Sequence, residues 1–138
     1  MWTTSSDGSA GGALYDYNLE KDTTTPLLSG FFFDTGFEAD DASIYWADAR
    51  NRAIMAVDRF GGEPTAMTEA EYGLSAVTSD RFYVYFATAS DNQVKAVAKN
   101  GGPTIALGGG TADVSDLVIS DDNRLFLIDL DFIYFLNL

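Results

Sequence analysis

Large and small residues alternate in short runs along most of the chain, and the runs are cut by glycine, asparagine and aspartate. Residues 43–48 carry Ile44, Tyr45 and Trp46 beside Ala47, a pleated-strand composition. Arg50, Asn51 and Arg52 break the pattern as a turn, and residues 53–58 resume it. Gly61 and Gly62, followed by Pro64, mark a second turn in which glycine supplies positive φ. Residues 65–68 then predict a short outer strand, and residues 31–34 an earlier one before Asp40 and Asp41. The same order follows downstream: strands at 74–78, 83–88, 93–98 and 104–107, with turns at Asp80, Asp91-Asn92 and Asn100-Gly101. Asn-Gly is a strong hairpin signal. Nowhere do ten residues hold the three-and-four apolar spacing of a helix, so the class is all-β.

The second series copies the first. Tyr45/Tyr85, Ala47/Ala87, Ala49/Ala89, Ala56/Ala96, Val57/Val97, Gly61/Gly101 and Gly62/Gly102 are identities at a constant offset of 40. Ile44/Val84, Trp46/Phe86, Ile54/Val94 and Met67/Leu107 keep their class. A strand-built repeat of about 40–45 residues predicts four-stranded antiparallel propeller blades. Labelling strands a to d from the inside out, residues 13–30 predict strands c and d, residues 31–70 and 71–110 a blade each, and residues 111–138 strands a, b and c. That is about three blades' worth, preceded by a small, polar stretch at 1–12 that reads as a flexible linker. Trp46, Phe86 and Phe126 fall at equivalent strand-b positions, which predicts packing between neighbouring blades. Gly108, Gly109 and Gly110 read as a connector between blades, since no Lys-Ser/Thr follows to make a phosphate loop.

Tyr45-Trp46-Ala47-Asp48, then Ile54, Val57-Asp58 and Gly61-Gly62, resemble the YWTD-type β-propeller repeat of low-density lipoprotein receptor-like and bacterial secreted propellers. They are also similar to NHL repeats. Residues 84–107 follow the pattern with Phe86 for Trp and Thr88 for Asp, and residues 125–129 keep its outline. The resemblance implies six-bladed rings of roughly 240 residues, of which this chain supplies about half. Two expectations follow: the ring is completed by a longer parent chain, or by self-association of two copies. The resemblance also implies an extracellular or periplasmic location, and binding of a protein or glycan by one rim of loops.

Composition narrows the chemistry. Eight Lys and Arg stand against 21 Asp and Glu, a net charge of -13, which opposes nucleic acid and anionic membranes. No apolar run is long enough to span a bilayer as a helix, and the first residues lack the basic and apolar segments of a signal peptide. With no cysteine and no histidine, disulfides, thiolate metal sites and histidine-based triads or zinc sites are absent from this sequence.

The expected function is therefore a non-catalytic binding or scaffold module, with no catalytic residue and no cofactor required. The candidate binding residues are those of the turns between strands b and c: Arg50, Asn51, Arg52, Ser90, Asp91, Asn92 and Asp131. These turns differ between repeats, as a partner surface would. Asp48 and Asp129 end strand b and read as turn caps. Asp121-Asp122-Asn123 lacks the spacing and later Glu of a calcium loop and reads as a hairpin tip. Two alternatives stay open: a purely structural assembly subunit, and a calcium-dependent lactonase- or lyase-like propeller drawing on Asp34, Glu71, Asp113 and Asp116.

Overall fold

The computed structural model describes residues 2–4, 12–31, 36–109 and 114–138. Its strands form four antiparallel sheets, each ordered as the chain runs. Sheet one holds β1 (Trp2–Thr4), β2 (Gly12–Asn18) and β3 (Thr23–Phe31); sheet two holds β4 (Phe37–Ala39), β5 (Ser43–Asp48), β6 (Ala53–Asp58) and β7 (Thr65–Ala66). Sheet three holds β8 (Leu74–Ser79), β9 (Tyr83–Thr88), β10 (Gln93–Ala98) and β11 (Ile105–Gly109); sheet four holds β12 (Asp116–Ile119), β13 (Arg124–Ile128) and β14 (Ile133–Asn137). Sheets two and three are complete a–b–c–d blades. Among the described residues, sheet one supplies b, c and d, and sheet four a, b and c.

Several boundaries differ from the pattern-based expectation. Trp2–Thr4, inside the stretch read as a linker, pairs with β2, with Trp2 opposite Tyr15. The innermost strand of sheet two is β4 and not 31–34; Phe31 ends β3 opposite Gly12, and residues 32–34 lie outside the described residues. Hydrophobicity alone favoured the phenylalanine run, but pairing aligns Phe37 with Trp46. Gly108 and Gly109 belong to β11, opposite Val94 and Gln93, while Gly110 lies outside the described residues. The turn glycines behave as the repeat predicts: φ is 97° at Gly61 and 92° at Gly101.

The sheets stack face to face, and alternation along each strand decides which neighbour a side chain meets. Leu14 and Leu28 of sheet one bury against Ile44, Trp46, Met55 and Val57 of sheet two. On the other face of sheet two, Tyr45, Ala47 and Ile54 pack against Val77, Val84, Phe86 and Val97 of sheet three. Sheet three then turns Tyr85, Ala87, Val94 and Ala96 onto Leu117, Leu125 and Leu127 of sheet four. Trp46 and Phe86 are 0% exposed, each contributing about 2–3 kcal/mol of burial. Both face the preceding sheet, while Tyr45 and Tyr85 face the following one.

Phe126 breaks this correspondence. The first two a–b turns close over three residues, Asp40 N–H to Ser43 C=O and Asp80 N–H to Tyr83 C=O, both at 3.0 Å. The third closes over four, Ser120 N–H to Arg124 C=O at 2.9 Å, and Asn123 at φ 61° takes up the added residue. A one-residue shift exchanges the two faces of a strand. Leu125 and Leu127 therefore fill the places of Val84 and Phe86, and Phe126 points to the outer face, its ring centroid 6.0 Å from that of Phe135.

Candidate functional site

In a stack of antiparallel meanders, the b–c turns and the links between sheets leave on one rim, and the a–b and c–d turns on the other. On the first rim, the turn after strand b in sheets two, three and four is closed by its own chemistry. The Asp48 carboxylate, fully buried, accepts from the backbone N–H and the side-chain amide of Asn51, both at 2.8 Å. Thr88 Oγ1 donates to Asp91 Oδ1 at 2.5 Å. Asp129 Oδ1 accepts from the backbone N–H groups of Asp131 and Phe132 at 2.9 and 3.0 Å. Asp48 and Asp129 thus cap turns, as their positions predicted.

The link between sheets two and three gathers most of the remaining groups. Arg52, left-handed at φ 55°, sets its guanidinium 4.8 Å from the Tyr72 ring centroid and donates to the Tyr72 hydroxyl at 2.5 Å. Ser90 Oγ donates to the Tyr72 carbonyl at 2.7 Å. Lys95 bridges Glu71 at 2.7 Å and Asp91 at 2.8 Å. Burial alone would lower the Lys95 pKa, but the two carboxylates outweigh it and raise it; Lys95 and then Thr88 hold Asp91 low. Tyr72 is 54% exposed.

Of the candidate residues, Arg52, Ser90 and Asp91 are thus brought together through Glu71, Tyr72 and Lys95. Asn51 turns inward to Asp48, and Arg50 and Asn92 are exposed at their turns. Asp131 is exposed on the turn of sheet four. Tyr72 and Lys95 were missed by the sequence reading. The available signal for Tyr72 was a lone aromatic in the link at residues 67–73.

A second feature lies where β4, β8 and β12 converge. Phe37, Glu38, Ser75, Thr78, Asp116 and Val118 line an open cleft of about 390 Å³. Burial, helped by Asp40 and Asp116 and opposed by Lys99, raises the Glu38 carboxyl. Of the acids considered for an enzyme, only Asp116 is placed here; Glu71 sits in the rim ion pair, and Asp34 and Asp113 lie outside the described residues. Among the described residues no three acidic side chains converge as a metal-holding group. Glu38 was overlooked because strand a was expected at 31–34.

On the opposite rim the two complete blades repeat one staple. Asp40 Oδ1 accepts from the N–H groups of Ala42 and Ser43 at 2.7 Å, and Oδ2 from the Tyr45 hydroxyl at 3.1 Å. Asp80 does the same with Phe82, Tyr83 and Tyr85, all at 2.7 Å. Lys99 then crosses from sheet three to sheet two, 2.6 Å from Asp40 Oδ2 and 4.9 Å from the Tyr45 ring centroid.

No family model and no curated protein matches this sequence. Solved structures do match in shape. A chain of a nidogen/laminin complex superposes with a TM-score of 0.75 at 15% identity, over 91% of this chain and 52% of that one. BamB from Moraxella catarrhalis gives 0.71 at 16% identity, over 89% and 37%. This chain has the β-propeller fold. Regucalcin from Agrobacterium tumefaciens strain C58, a calcium-binding protein, gives 0.60 at 15%, over 86% and 44%. A luciferin-regenerating enzyme gives 0.68 at 13%, over 88% and 45%. The propeller chain thus spans about half the length, or less, of the structures it matches. The fold implied by the YWTD- and NHL-like motifs is the fold observed, and it is shared by binding proteins and enzymes alike.

Proposed function

We propose that this propeller is a non-catalytic binding module that holds a protein partner on the rim formed by the b–c turns and inter-sheet links. The observation that carries this reading is the Arg52–Tyr72 pair, an arginine stacked on a half-exposed tyrosine and braced by Ser90 and the Glu71–Lys95–Asp91 network. Arginine and tyrosine dominate binding hot spots, and a braced pair loses little rotamer freedom on docking. The nidogen/laminin likeness supports a protein partner in an extracellular setting. The net charge of -13 favours a partner with a basic surface.

The test is binding to an immobilised panel of basic proteins, acidic proteins and glycans. Arg52→Ser and Tyr72→Ser should each weaken the partner bound by the unaltered chain about tenfold or more, while Phe60→Ser on the other rim leaves it unchanged. Equal loss in all three variants would remove the rim from the account. The enzyme reading rests on Glu38 and Asp116 sharing one cleft. Lactone hydrolysis that needs calcium and disappears in Glu38→Gln would establish it in place of the binding module.

A further inference from the structure

The offset of 40 that relates the two complete blades also relates two grooves on the side of the stack. Residues 66–71 and 102–104 line a groove between sheets two and three. Residues 26–29, 31 and 62–64 line its counterpart between sheets one and two. The counterpart is the smaller, about 290 Å³ against about 620 Å³. Leu28 and Phe31 pack into the core beneath it. Their places in the larger groove are held by Thr68, whose Oγ1 accepts from the Ile54 N–H at 3.0 Å, and by Glu71. The c–d turns differ as well. A Cβ at Gly61 would lie 3.2 Å from the Leu27 carbonyl oxygen, while one at Gly101 would meet nothing within 4 Å. The groove between sheets two and three thus stands open where its repeat is closed, with a volume in the range of binding clefts.

Its lining selects an occupant. Among the described residues around it, the ionisable side chains are Glu69 and Glu71, with no lysine or arginine. Lys95 neutralises Glu71 at 2.7 Å. Glu69 is exposed and takes part in none of the ion pairs among the described residues; the counterpart groove has Ser29 at that place. Met67 and Pro103 supply apolar surface. The backbone is available too. β7 is the terminal strand of sheet two. Ala66 lies opposite Met55, next to the bond from the Met67 N–H to the Ile54 carbonyl at 2.8 Å. The residue beside a hydrogen-bonded antiparallel pair turns its own N–H and C=O away from the partner strand, so Ala66 presents both at the outer edge. Such an edge is a template for a further strand.

We propose that this groove takes an extended segment of the protein partner, its main chain along the β7 edge and a lysine or arginine on Glu69. The groove ends at Glu71, next in sequence to Tyr72, so the segment is continuous with the Arg52–Tyr72 rim. The inference rests on the rim reading for a protein partner and adds the chemistry of the part that docks.

Fluorescence anisotropy with short labelled peptides tests it, the peptides alternating valine with lysine, with serine or with glutamate. The lysine peptide should bind the intact chain about fivefold or more tighter than the serine peptide, and the glutamate peptide not at all. Glu69→Ser should weaken the lysine peptide about fivefold, and Glu69→Lys should transfer the preference to the glutamate peptide. Glu69 is exposed, so both variants should keep the circular dichroism of the parent. Glu63→Ser, in the counterpart groove, should leave binding unchanged. A lysine peptide with proline in place of valine lacks backbone donors and should bind about fivefold more weakly. Equal binding of the lysine and serine peptides, a preference for glutamate, no binding of any peptide, or full binding of the proline peptide would overturn the proposal. So would equal losses in Glu63→Ser and Glu69→Ser, which would mean attraction to the overall charge. Indifference to Glu69, with Arg52→Ser and Tyr72→Ser still weakening the panel partner, would reject the groove alone; the converse pattern would reject the rim alone.

Discussion

Replacing Lys99 with methionine removes the charge that sits 4.9 Å from the Tyr45 ring centroid and keeps an unbranched side chain. In the folded chain, burial tends to raise the Asp40 carboxyl, but Lys99, the amides of Ser43 and Ala42 and the Tyr45 hydroxyl outweigh it and bring it from 3.8 down to about 2. At about 1.36 kcal/mol per pH unit, that difference corresponds to about 2.4 kcal/mol for the four donors net of the opposing burial. The Asp40 side chain is 30% exposed and solvent screens the pair, so the share carried by Lys99 is about 1 kcal/mol. The folded pKa lies below the unfolded one. The stabilisation is therefore complete above about pH 4 and is lost as the pH falls toward about 2. Urea unfolding at fixed protein concentration should show Lys99→Met less stable by about 1 kcal/mol at pH 7, with the gap closing at pH 2. A gap of the same size at both pH values, or no gap at pH 7, would refute the assignment of Lys99 as the charge that holds Asp40 ionised between the sheets.

Two further substitutions probe packing and backbone. Trp46→Ala empties a fully buried site between sheets one and two and should cost about 3–5 kcal/mol, read as a lower urea midpoint with unchanged slope. Gly73 sits at φ 67°, and a Cβ there would lie 2.8 Å from the Ser90 backbone nitrogen. Gly73→Ala should therefore cost about 2 kcal/mol and weaken partner binding at the rim, because backbone must move beside Tyr72.

The architecture was legible because repetition is a property of sequence. Tyr45/Tyr85, Gly61/Gly101 and the Asp40/Asp80 turns recur at one offset, and each pair occupies matching places in sheets two and three. The face of sheet four was not legible. Leu125, Phe126 and Leu127 are all apolar, so alternation cannot say which of them points inward, and the one added turn residue at 121–123 is invisible without the closing hydrogen bond. The pairing of Trp2–Thr4 was hidden by the small, polar residues that follow it. At the rim, the turn residues were found because they interrupt strands. Tyr72 and Lys95 were not, because their role depends on contacts made across 18 to 24 residues of chain.

The blades stack in sequence by fixed faces, with the fourth sheet shifted by one residue so that its aromatic face points outward. Paired charge substitutions at adjacent positions test it most directly. Leu125 is 0% exposed against sheet three, so Leu125→Asp should abolish cooperative unfolding or lower stability by more than about 4 kcal/mol. Phe126→Asp should leave a cooperatively folded chain, destabilised by no more than about 1 kcal/mol. The reverse outcome, with Phe126→Asp unfolded and Leu125→Asp folded, would contradict the stacking described here.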